Sequence, residues 1–141
     1  MRKSTSSRSV IDTFAWVEYL LGSRVGTKVK EYIETSGAFT PSVALLELCK
    51  WYIREIDEHR QTERAMELGL SYVEAATEIV PLDANLARRA GEIDFLMKKR
   101  IRGWPLADSI IYATARSRSA SVVTADPHFR GLDDVIFLGP T

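Results

Sequence analysis

The sequence predicts an α/β fold, a central parallel β-sheet flanked by helices on both faces. Three observations point there. Short β-like apolar runs alternate along the chain with longer helical patterns, as parallel strands joined by covering helices do. The 141 residues fit one compact domain, and a chain of that length buries roughly 70% of its unfolded surface without a disulfide. Hydrophobic residues make up 45% and charged residues 27%, a globular balance that excludes wholesale disorder.

Residues 1–8 are basic and Ser-rich but lack the apolar core of a signal peptide, so they are expected to form a flexible tail before a single domain over 9–141. Ser9 to Asp12 predicts a first strand with an acid at its end. Phe14, Val17, Leu20 and Leu21 share one face of a first helix from Thr13, stopped by Gly22. Val25, Val29, Tyr32 and Ile33 give a second helix ending before Gly37. Ala38 to Thr40 predicts a second strand. Pro41-Ser42 opens a third helix, with Ser42 as its expected N-cap, and Leu45, Leu48, Cys49, Tyr52 and Ile56 follow at helical spacing. A polar connection from Asp57 to Glu63 leads to a fourth helix through Ala65, Leu68, Tyr72, Val73 and Ala76. Glu78 to Leu82 predicts a third strand, which Pro81 places at an edge or a strand end. Asp83 is expected to cap a fifth helix carrying Leu86, Ala90, Ile93 and Met97. A basic loop over Lys98 to Gly103 precedes a sixth helix from Pro105 to about Arg118. Ala120 to Thr124 and Val135 to Leu138 predict the last two strands.

Charge and cysteine usage narrow the function classes. Lys+Arg and Asp+Glu are 19 each, so a basic nucleic-acid coat is absent and any polyanion contact must come from a local patch. The single Cys49 cannot form an internal disulfide, which suits a reducing compartment. No apolar run approaches the ~20 residues of a membrane span. A cytoplasmic protein without membrane contact is expected. Asn85 and Gln61 are the only residues of their kinds, a scarcity of heat-labile amides in the direction of a thermophilic source.

Sites of parallel sheets gather beyond the carboxyl ends of the strands, where helices begin. Four acids fall there: Asp12 ends the first strand, Glu47 lies in the first turns of the third helix, Asp108 in the first turn of the sixth, and Asp126 follows the fourth strand. Each has an ordinary reading. Asp12 and Asp108 could serve helix starts, Asp126-Pro127 could be a turn, and Glu47 could pair with Lys50. Asp108, however, tops the apolar stripe of Ile111, Tyr112 and Ala115, and a buried carboxylate without a partner is costly. Several carboxylates in one place cannot all stay ionised without cations between them. Hard oxygen ligands select Mg²⁺ or Mn²⁺, and one or two such ions can serve phosphodiester hydrolysis. His59 reads as solvated surface. His128 beside Asp126 is open to substrate contact or to loop packing.

Four segments carry these residues: Val10-Ile11-Asp12-Thr13, Pro41-Ser42-Val43-Ala44-Leu45-Leu46-Glu47-Leu48, Leu106-Ala107-Asp108-Ser109 through Ala115, and Val122-Val123-Thr124-Ala125-Asp126-Pro127-His128-Phe129. In order and spacing, from about residue 9 to 138, they resemble the PIN-domain family, and within it the VapC-type toxin ribonucleases. The resemblance implies a PIN-like fold and a Mg²⁺- or Mn²⁺-dependent endoribonuclease. It implies that Asp12, Glu47, Asp108 and Asp126 hold the metal and that the Thr124 hydroxyl stands beside the fourth acid. Thr13 and Ser42 are further candidates for bonds that hold the acids, while Asp133 and Asp134 fall after the motif. Water would attack phosphorus in line, leaving 5′-phosphate and 3′-hydroxyl ends. It also implies an RNA substrate, a cognate antitoxin and a homodimer.

Lys98, Lys99, Arg100 and Arg102 precede Asp108 and are candidates for RNA-phosphate contact, or a solvated helix end that complements the dipole. Trp104 is open to base stacking or packing. Trp16, Tyr19 and Trp51 are open between partner contact and core, and Tyr52 is expected in the core. Two other readings remain: a housekeeping PIN nuclease of RNA processing or decay, and a non-catalytic PIN module that binds RNA or protein. A phosphoacceptor receiver domain is excluded, because Thr124-Ala125-Asp126 stands where a lysine is required.

Overall fold

A computed structural model describes residues 8–35 and 37–140. The expected tail over residues 1–8 therefore lies outside the described residues, apart from Arg8. Five parallel strands, β1 (Ser9–Ile11), β2 (Ala38–Pro41), β3 (Glu78–Val80), β4 (Ser121–Thr124) and β5 (Val135–Phe137), form one sheet in the order β3-β2-β1-β4-β5. β3 is an edge strand and ends before Pro81, in keeping with the expected edge or strand end. The helices are α1 (Thr13–Leu21), α2 (Arg24–Glu34), α3 (Ser42–Asp57), α4 (Glu63–Ala76), α5 (Ala84–Arg100) and α6 (Leu106–Ser117).

Period-two alternation splits the core in two. Val10 and Val122 point to one face, where they join Leu86, Ala90, Met97, Ile111 and Phe129 under α5 and α6. Their neighbours Ile11 and Val123 point to the other, against Trp16, Val29, Ile33, Leu48, Tyr52 and Val73 of α1 to α4. Both faces are thus covered, as a parallel sheet demands.

The element ends follow local chemistry. Gly22, at φ +71°, closes α1 in the left-handed conformation. Asp83 accepts from Leu86 N–H at 2.8 Å and caps α5. Two expectations need correction. Pro41, not Ser42, occupies the position before α3, and no side chain caps that helix. The supposed basic loop is helical through Arg100, because three cations at a helix C-terminus complement its exposed carbonyls.

Two open aromatic readings close on packing. Trp16 is buried and donates Nε1–H to Thr40 Oγ1 at 3.0 Å. Trp104 is buried and donates to Ser109 Oγ at 2.7 Å, so it has no face free for a base. Tyr52 is core as expected. Tyr19 and Trp51 stay half-buried.

Strands leave β1 toward β2 and β3 on one side, while β4 and β5 extend the sheet on the other. The order reverses between β1 and β4, which makes a crevice beyond their carboxyl ends. Asp12 follows β1 directly, and Asp126 follows β4 after Ala125.

Candidate active site

Asp12 is the N-cap of α1 and only 3% exposed. One carboxylate oxygen accepts from Thr13 N–H at 2.8 Å. The other accepts from the Thr124 hydroxyl at 2.6 Å. That same hydroxyl accepts from Asp126 N–H at 2.9 Å, so its one proton must point at Asp12. Thr124 therefore ties the end of β1 to the end of β4 with both acids in place. Across the crevice, the Thr13 hydroxyl donates to Glu47 Oε1 at 2.8 Å. Among the described residues it is Thr13, and not Ser42, that holds this acid.

Asp108 enters from the first turn of α6 and is 6% exposed. Its Oδ2 is sealed from solvent and has no hydrogen-bond partner among the described residues. Asp126 caps a short 3₁₀ turn (Pro127–Phe129) by accepting from His128 N–H at 3.0 Å. All four acids line one cleft of about 430 Å³.

The electrostatics follow from this convergence. Burial pushes the Asp12 carboxyl up to about 7; the Thr124 bond opposes the shift, and the charges of Asp126 and Glu47 add to it. Asp108 also lies far above the ordinary carboxylate range, through burial first and then the charges of Asp12 and Asp126. Two of the acids thus resist ionisation near neutral pH unless positive charge enters. A buried orphan oxygen, mutual repulsion and an all-oxygen set at the acids fit a hard divalent cation.

The structure separates the acids from the expected basic patch. Lys98 pairs with Asp94 at 2.7 Å, and Lys99 lies 4.3 Å from the Phe95 ring. Arg100 borders a second cavity with Tyr112, Arg116 and Asp133, and Arg102 is exposed. None of the four lines the acid cleft. Its cations are Lys50 and Arg54, and its apolar wall is Phe14, Val17 and Trp51. The signal for these was present in the sequence. Lys50, Trp51 and Arg54 follow Glu47 at i+3, i+4 and i+7, so they share its helix face. His128 also lines the cleft, with Nδ1 3.0 Å from Asp126 Oδ1 and 3.6 Å from Asp108 Oδ2.

Known structures share this architecture. A toxin–antitoxin complex from Klebsiella pneumoniae superposes with a TM-score of 0.71 at 19% identity, covering 94% of this chain and 99% of that one. DNA-bound VapBC from Salmonella typhimurium gives 0.67 at 21% identity, covering 93% and 98%. The Mycobacterium tuberculosis toxin VapC20, described as cleaving the sarcin-ricin loop, gives 0.69 at 18% identity, covering 90% and 96%. At these identities the likeness is one of fold. Sequence comparison with curated proteins gives no match. The PIN domain profile, in contrast, matches residues 9–135, from β1 through the first residue of β5. That span takes in all four acids and both strands of the switch point, and the chain belongs to the PIN domain family.

Proposed function

We propose that the chain is a divalent-cation-dependent endoribonuclease and the toxin of a VapC-type toxin–antitoxin pair. One observation carries the nuclease reading: four carboxylates meet at the switch point, and Asp108 Oδ2 is buried there without a partner. Asp12 and Asp108, with Glu47 and Asp126, would hold Mg²⁺ or Mn²⁺, which supplies charge for the phosphate and activates water. Thr124 keeps the Asp12 carboxylate oriented, and Thr13 does the same for Glu47. Orientation paid in advance by fixed bonds lowers the barrier of a reaction that needs in-line geometry. RNA as substrate, a cytoplasmic location, a homodimer and a cognate antitoxin rest on the family resemblance. The solved complexes with antitoxins and DNA support the partner reading. Among the described residues no helix is long and apolar enough to cross a membrane.

The test is cleavage of RNA by purified protein. Cutting is expected with Mg²⁺ or Mn²⁺ and none in chelator, and full activity in chelator would remove the metal reading. Sequencing of the RNA ends after brief expression would then give the target.

A second prediction concerns how RNA is held. Lys50 and Arg54 flank Trp51 on the cleft wall, a cationic track with an aromatic platform suited to a single strand. Each lost phosphate contact lowers the log–log salt slope of binding by roughly 0.7. Replacing Lys50 and Arg54 by Ala, in a catalytically inactive background, is expected to flatten that slope by about 1.4. Neutralising Lys98, Lys99, Arg100 and Arg102 together tests whether phosphate contacts extend to the end of α5. An unchanged slope there would leave them as a helix end.

A further inference from the structure

We propose that His128 completes a cation position with Asp108 and Asp126, adding an imidazole nitrogen that favours Mn²⁺ and Co²⁺ over Mg²⁺. The inference rests on the divalent-cation reading and adds a ligand to it. Asp108, Asp126 and His128 each offer one ligand atom, and these atoms all lie within 4.8 Å of one another. Among the described residues, two buried polar atoms in this group, Asp108 Oδ2 and His128 Nδ1, make no geometrically sound hydrogen bond, although Nδ1 lies close to Asp126 Oδ1. Leaving buried polar atoms unsatisfied is costly, and a cation in the space these two share would engage both. Within the group, Nδ1 lies 3.0 Å from Asp126 Oδ1, an oxygen that also accepts from His128 N–H at 3.0 Å, and 3.6 Å from Asp108 Oδ2, so the nitrogen stands among the acid oxygens without a well-aligned hydrogen bond to them.

The surroundings aim the ring. Trp104 packs edge-on to the imidazole, with centroids 6.4 Å apart at 79°. The Nε2 side faces Gly103, where a Cβ would lie 3.9 Å away. Nδ1 is left to face the acids. Trp104 is itself fixed by Ser109, whose hydroxyl donates to Asp94 at 2.9 Å, so the ring rests on a wall that cannot turn.

The donor set then decides among cations. Mg²⁺ takes oxygen ligands and gives up water reluctantly. Imidazole suits later first-row ions, whose affinities rise from Mn²⁺ through Co²⁺ at a given site. One nitrogen among carboxylates therefore raises Mn²⁺ and Co²⁺ affinity without helping Mg²⁺.

The experiment measures cation binding by the purified wild type and His128→Asn, with no RNA present. Mn²⁺ is followed by loss of its free-ion electron paramagnetic resonance signal, and Mg²⁺ and Co²⁺ by competition. The wild type is expected to prefer Mn²⁺ over Mg²⁺ by at least ~10-fold, and His128→Asn to lose most of that margin while Mg²⁺ affinity changes less than about threefold. Substoichiometric Mn²⁺ should broaden the His128 ring signals in NMR spectra and spare those of His59, the only other histidine, which is exposed after α3. His128→Gln, with a melting curve for each variant, guards against misfolding. Both variants keeping the wild-type Mn²⁺/Mg²⁺ ratio, or equal broadening of both rings, would overturn the assignment of His128. No cation binding by the wild type would instead overturn the carboxylate centre itself, so the two failures are distinguishable.

Discussion

Asp12→Asn and Asp108→Asn are each expected to lower RNA cleavage at least ~100-fold, about 2.7 kcal/mol of barrier. Each substitution keeps the shape and removes one negative charge from the group that would hold the cation. Glu47→Gln is expected to lose as much, and Asp126→Asn less, since the fourth acid is more variable in position in the family. The Asp108 case has the clearest physical basis, because its Oδ2 has no hydrogen bond to lose among the described residues. Thr124→Val is expected to fall between, at about 10-fold. It leaves every acid in place but removes the bond that orients Asp12 and opposes the rise of its pKa. Cleavage rates of the five variants, beside metal-free melts that check folding, test the assignment. A wild-type rate in Glu47→Gln would return that residue to a side chain held by Thr13 alone.

Much of this site was legible in the sequence because its chemistry coincides with element ends. An acid within two residues of the end of an apolar strand, as at Asp12 and Asp126, announces its position at the sheet's carboxyl edge before any packing is known. Asp108 was legible for a different reason: it tops an apolar helix stripe and so had to face inward. What was not legible depends on tertiary placement. The cations at 98–102 are close to Asp108 in sequence, yet Lys98 is turned toward Asp94 and Arg100 toward another cavity. Lys50 and Arg54 are far from Asp108 in sequence but reach the cleft because α3 crosses its wall. Helical spacing from Glu47, not closeness to Asp108 in sequence, marks the cations that line the cleft. The Thr124 bond spans 112 residues, and no local pattern could give the dual use of its hydroxyl. Ser42 was expected as a cap, but the chain turns into α3 at Pro41, whose fixed φ suits the entry.

Without divalent cations, the wild type is expected to lose stability as pH rises from about 5 to 8.5. The sign follows from the Asp12 carboxyl, which burial raises from an ordinary 3.8 to about 7. Between those values the folded chain binds a proton that the unfolded chain has released. Stability from that proton is fully present below about pH 4 and is lost as pH climbs through 7. Asp108, raised in the same direction, extends the loss to higher pH. Asp12→Asn removes one titrating group and one charge that repels Asp108, so its stability should change less over this range. Were Asp12 only a helix cap, its bonds to Thr13 and Thr124 would favour the charged form, and stability would rise with pH instead. Cations reverse the wild-type trend, because they bind the deprotonated acids. At 100 times its dissociation constant, Mg²⁺ adds about 2.7 kcal/mol. For a chain of this length that is about 9 °C in melting temperature. Melts of wild type and Asp12→Asn at pH 5.5 and 8.5, in chelator and across a Mg²⁺ titration, measure all of these effects. The expected pattern is a metal-free wild type at least ~5 °C less stable at the higher pH, a flatter variant, and a Mg²⁺ response largely confined to the wild type. Equal pH trends and equal Mg²⁺ responses in the two proteins would mean that the four acids do not share one site.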